Sequence, residues 1–128
     1  MTELQRITAA EAPQPTGPFV HGVRVASLLY TSGQAGRNRQ TGEMGSVGEQ
    51  VDQALRNIAD IAAAAGTSLA RAVKVTLILR DDVTDMAGVN AAYEQHFPDG
   101  LPARTSFFVT RLKNPDMLVE IEAVIDAA

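Results

Sequence analysis

The chain has 128 residues, 45% of them apolar, and a net charge of −4 from 11 Lys and Arg against 15 Asp and Glu. That is the length and composition of one globular domain, residues 1–128, and its scattered basic residues argue against a nucleic-acid binder, which needs a basic face. Cysteine is absent, which excludes disulfides, thiolate catalysis and zinc–sulfur sites.

A short strand is expected around Leu4–Thr8. "APQPTGPF" (12–19) follows, a loop by its three prolines and glycine. "GVRVASLLYTSGQA" (22–35) reads as two strands meeting in a tight turn near Ala26–Ser27. "GRNRQTGEMG" (36–45) is polar and glycine-rich, a surface loop. In "SVGEQVDQALRNIADIAAAAG" (46–66), Val51, Leu55, Ile58, Ala62 and Ala65 recur at helical spacing and Gly66 ends the run. Gln50, Gln53, Arg56 and Asp60 are assigned to the other face.

"AVKVTLILR" (72–80) predicts a strand with Val73, Val75, Leu77 and Leu79 on one side. A second helix is expected from about Asp85 to Phe97, N-capped by Thr84, with Met86, Val89, Tyr93 and Phe97 as its stripe. Strands over 103–111 and about 117–125 close the chain, with "KNPD" as a turn between them. The order β-β-β-α-β-α-β-β is α+β, a sheet with two helices on one face. The other face is left uncovered. Phe107 and Phe108 point to opposite faces of one strand, so the free face calls for a second copy of the chain.

The N-terminal residues lack the apolar core of a signal peptide, and nowhere do about eighteen apolar residues run together. The expectation is a cytoplasmic protein with no membrane partner. The two histidines, His21 and His96, sit at no metal-ligand spacing. His21 reads as a surface residue, and His96 as a favourable charge at a helix C-terminus.

Arg104 is the residue that asks for a partner. It opens the strand "ARTSFFV", and a guanidinium must find an anion or reach water. Spacing leaves two readings: a structural ion pair, or a fork for a ligand carboxylate. If the last two strands form a hairpin, Glu120 lies nearer the middle of its strand than Arg104 does, and spacing leaves their contact undecided. Asn90 at the edge of an apolar stripe, and Gly33 where a strand would carry a side chain, are weaker signals of the same kind.

"GPFVHG", "YTSGQ", "TGE", "AAAAG", "VKVTLILRD", "VNAAYEQHF", "PARTSF" and "VEIEAV" follow one another here. In that order they resemble the Rid proteins, the reactive intermediate deaminases also called the YjgF family. The resemblance covers about residues 17–125. It implies a chorismate-mutase-like α+β fold assembled as a homotrimer with sites between subunits. It also implies hydrolysis of 2-imino acids to 2-keto acids and ammonia, without a cofactor or metal.

By the same resemblance Arg104 grips the substrate carboxylate, and Glu120 places or activates water. Gly33 offers a backbone contact, and Asn90 belongs to the site region. Phe19 and Ser106 also fall in the site, where deaminating members often carry tyrosine and cysteine. Phe19 keeps the ring and lacks the hydroxyl; Ser106 is nearly isosteric. A carboxylate at its usual pKa of about 4.3 is a poor base at neutral pH, so Glu120 has a raised pKa or chiefly orients water. Two other readings remain open: a member that binds a small keto or amino acid without turnover, and an RNA-directed member. The charge of −4 and the few aromatics oppose the second.

Overall fold

The computed structural model describes residues 2–128. Strands β1 (Leu4–Ile7), β2 (Gly22–Val25), β3 (Leu28–Thr31) and β4 (Gln34–Ala35) are followed by helix α1 (Val47–Ala64). Strand β5 (Ala72–Arg80), helix α2 (Met86–Glu94), and strands β6 (Ala103–Val109) and β7 (Val119–Asp126) complete the chain. One mixed sheet runs β1-β2-β3-β7-β5-β6, with β4 also pairing with β7. Among the described residues only β5 and β6 pair in parallel.

Local chemistry explains most of these elements. Ser46 caps α1 by accepting from the Glu49 N–H while the Glu49 carboxylate returns to the Ser46 N–H, a reciprocal capping box. The expected stripe Val51, Leu55, Ile58, Ala62 and Ala65 is buried. Gly66 follows at φ +81°, a conformation that ends helices at little steric cost for glycine. Ala26, at φ 50°, turns β2 into β3. The core forms where this stripe meets Val75, Leu77 and Leu79 of β5 and Val119, Ile121 and Ile125 of β7.

Several expectations need correction. The last two strands are not a hairpin. β5 lies between them, parallel to β6 and antiparallel to β7. β4 escaped notice because a two-residue strand has no period. Val73 is 51% exposed, since an irregularity between Ala72 and Lys74 shifts the register. Asp85, not Thr84, caps α2 by accepting from the Gly88 N–H. Gln50 is buried rather than outward-facing. Its amide donates to the Gly45 and Asp116 carbonyls and accepts from the Leu118 N–H.

The helices cover one face only. On the other, Tyr30, Val124, Lys74 and Glu122 stand in adjacent registers. Phe107 and Phe108 are both exposed, at 44% and 51%, so cover is lacking on both faces at the free edge of β6.

Candidate functional site

Arg104 begins on the helix face. It pairs with Val75 of β5, and Val75 is buried beneath the helices. One Arg104 Nη2 donates to Asn90 Oδ1 at 2.9 Å, and the guanidinium carbon sits 4.8 Å from the Tyr93 ring centroid. Asn90 and Tyr93 are three residues apart on α2, hence on one face. They bracket the guanidinium by a hydrogen bond and a cation–π contact. Among the described residues no carboxylate lies within 4 Å of Arg104. The structural ion pair is therefore not made within this chain. Ser106, two residues on, keeps the same face, and its buried Oγ has no hydrogen-bond partner. Tyr93 Oη is likewise buried without one.

Glu120 lies on the opposite face. It pairs with Ile78, one register from the buried Leu77 and Leu79. An Arg104–Glu120 contact inside one chain is ruled out by this register, since successive side chains alternate across a strand. Glu120 instead lines a cleft of about 340 Å³ together with Phe19, His21, Gly33, Arg37 and Lys113. A Cβ at Gly33 would fall 2.8 Å from Glu120 Cδ, so a larger residue there would displace the carboxyl. Burial raises the Glu120 carboxyl above its ordinary value. The Glu122 carboxylate adds to this and Lys113 opposes it.

The histidines take structural places. His21 is buried, not at the surface. Its Nδ1 accepts from the Ala9 N–H at 2.9 Å, and its Nε2 is 2.7 Å from the Pro13 carbonyl. An N–H donor on one side and a carbonyl on the other fix the Nε2–H tautomer, so the ring pins the proline-rich loop beside Phe19. His96 meets Asp52 of α1 at 2.8 Å instead of serving a helix terminus. Asp52 is pushed up by burial, but hydrogen bonds from His96 and Arg56 outweigh this and hold it below its usual value.

Sequence reasoning missed three members of the site. Tyr93 was absorbed into the apolar stripe, although a tyrosine near an unpaired arginine is a signal. Arg37 and Lys113 lay in segments read as a surface loop and a turn. Both face the Glu120 cleft, and no local pattern reports that. The site residues thus form two groups. Arg104, Asn90, Tyr93 and Ser106 share the helix face; Glu120, Gly33 and Phe19 share the cleft.

A family model described as endoribonuclease L-PSP matches residues 9–127. The chain belongs to this family, the YjgF/RidA family. Among its relatives in the family, the bovine 2-iminobutanoate/2-iminopropanoate deaminase is 39% identical, covering 97% of this chain and 92% of that one. A RutC family protein of Pyrococcus horikoshii is 38% identical, covering 92% and 94%. The crystal structure of TdcF from E. coli with bound serine superposes with a TM-score of 0.89 at 35% identity, covering 97% of this chain and 99% of that one. The YjgF/RidA fold is thus carried over nearly the whole chain. No helix of the described residues is long and apolar enough to cross a membrane.

Proposed function

We propose that this chain is a hydrolytic deaminase of reactive 2-imino acids, releasing the 2-keto acid and ammonia. The observation that carries the reading is Arg104. It is bracketed by Asn90 and Tyr93 and has no carboxylate within 4 Å among the described residues. A pre-oriented, uncompensated fork suits a substrate carboxylate. The deaminase names among its family relatives support the same chemistry.

The chemistry asks little beyond orientation. The imine carbon is already electrophilic, so a water held against it can add directly. Glu120, raised by burial, accepts the water's proton as the C–O bond forms. It passes that proton to the imine nitrogen, giving a carbinolamine, and then relays the carbinolamine hydroxyl proton to the same nitrogen as the C–N bond breaks and ammonia leaves. The backbone at Gly33 approaches closely because no side chain stands between it and Glu120.

Arg104 and Glu120 act on one substrate only if different copies supply them, because they occupy opposite faces of one sheet. We assign the complete site to the cleft between subunits of a homotrimer, as the Rid resemblance implies. The exposed Phe107 and Phe108 at the sheet edge support burial against a second copy. A second reading, keto- or amino-acid binding without turnover, is favoured by Phe19, whose ring reaches the cleft without a hydroxyl.

A coupled assay separates the two. Threonine dehydratase supplies 2-iminobutanoate and semicarbazide traps it. Wild type suppresses trapping and Arg104→Ala does not. Trapping unaffected by wild type, with saturable keto-acid binding, establishes the binding reading instead.

A further inference from the structure

We infer that the Glu120 cleft is built for 2-imino acids whose side chain ends in a second carboxylate, with Lys113 receiving that distal group and Arg37 behind it. This rests on the deaminase reading above and names its substrate class.

Arg104 of the same chain lies outside the cleft, on the opposite face of the sheet, but two other cations, Lys113 and Arg37, line it together with Glu120. Lys113 is tethered but not neutralised: its Nζ donates to Thr16 Oγ1 and lies 3.4 Å from the Thr16 carbonyl. Among the described residues no carboxylate comes within 4 Å of it, Glu120 included. Arg37 is partly engaged, donating to the Gly42 carbonyl at 2.8 Å and standing 3.5 Å from Asp116.

A tether to a neutral residue restrains the long lysine side chain without cancelling its charge. Less rotamer freedom is then lost when an anion arrives. The part of the cleft that this chain supplies is about 340 Å³, within the range of small-molecule sites, and leaves room beside a three- or four-carbon imino acid. A long apolar side chain directed at this wall would strip water from two cations and return no hydrogen bond. A carboxylate there gains a charge-assisted bond instead. A dicarboxylic substrate therefore matches three features of the proposed intersubunit site: Arg104 of a second copy for the first carboxylate, Glu120 for the reacting water, and Lys113 for the second carboxylate.

The balance is that of any imine hydrolysis. Water adds across C=N, the C–N bond breaks, and the dicarboxylic 2-keto acid and ammonia leave. The reaction that supplies such an imine is the two-electron oxidation of the C–N bond of an acidic amino acid.

The test compares the imines of aspartate and of alanine, each generated by an amino-acid oxidase, in the semicarbazide competition assay with the full chain. Wild type is expected to show the higher kcat/KM for the aspartate imine. Lys113→Met lowers the acidic-to-neutral ratio about tenfold, the loss of roughly one charge-assisted hydrogen bond. Lys113→Glu lowers it further, and Lys113→Arg retains it. Because Lys113 acts on Glu120 for both substrates alike, the ratio isolates the distal contact. Turnover of the alanine imine with no acidic preference, or a ratio that ignores Lys113, overturns the inference and leaves the deaminase reading standing. Turnover of neither imine removes both.

Discussion

Arg104 and Glu120 belong to strands that flank β5 on either side, and their side chains leave the sheet in opposite directions. Arg104 aligns with Val75 and Ala123, and Glu120 with Ile78 and Phe107. On the proposed reading, one backbone carries the carboxylate-binding residue on its helix face and the water-activating residue on its open face, and a second copy of the chain is what would join them.

Subunit mixing tests that arrangement. Arg104→Ala and Glu120→Gln are each expected to lose most activity. Co-refolded in equal amounts, they should recover about a quarter of wild-type activity, the share of sites in which both donors are intact. Mixed assemblies with no recovery, verified by mass spectrometry, would place the two residues in separate functions.

The bracket around Arg104 makes a second prediction. Asn90→Ala removes the side-chain acceptor that holds Arg104 and should raise KM roughly tenfold with a smaller change in kcat. Tyr93→Phe keeps the ring beneath the guanidinium and deletes a buried hydroxyl that has no partner. It is expected to leave stability unchanged or raise it by up to about 1 kcal/mol. Thermal melts and initial rates report the two effects separately.

On the proposed mechanism Glu120 sets the pH dependence. The base form is needed, and burial raises its pKa, so kcat/KM should rise with pH through a midpoint above the ordinary carboxylate value. Lys113 opposes the rise, so Lys113→Met should move the midpoint up. Glu120→Gln should flatten the profile and cut the rate by about 100-fold, the usual scale for losing general base catalysis. A midpoint that does not respond to Lys113 would assign the titration to another group.

Gly33→Ala probes the contact between backbone and carboxyl. The new Cβ meets the end of the Glu120 side chain rather than backbone, so the fold should survive within about 1 kcal/mol. The carboxyl, however, must leave its position. A large loss of kcat with an unchanged melting temperature is the expected pair of results.

Gln50 offers a stability test away from the chemistry. Its side chain is bonded to three backbone groups, of Gly45, Asp116 and Leu118. Gln50→Leu would remove the side-chain partner of all three, in hydrogen bonds that are only partly buried. A cost of about 2 kcal/mol is expected, read as a fall in the denaturant midpoint.

The sequence by itself determined the local structure. The α1 stripe, its termination at Gly66 and the alternation of β5 beyond Val73 each depend on neighbours within a few residues. Short-range periodicity encodes such features directly. The motifs also sufficed to place the chain in its family.

Only the tertiary structure decided who stands beside whom. A strand's period of two says which residues share a face, but not which strand lies alongside. Insertion of β5 between β6 and β7 is a choice among whole-strand pairings, and it moved Arg104 and Glu120 to opposite faces. The same long-range packing buried His21 and Gln50, which composition alone would expose. It also brought Lys113 and Arg37, from two loops remote in sequence, to one cleft. Loops carry no period, so their meeting is settled by the closure of the fold around them.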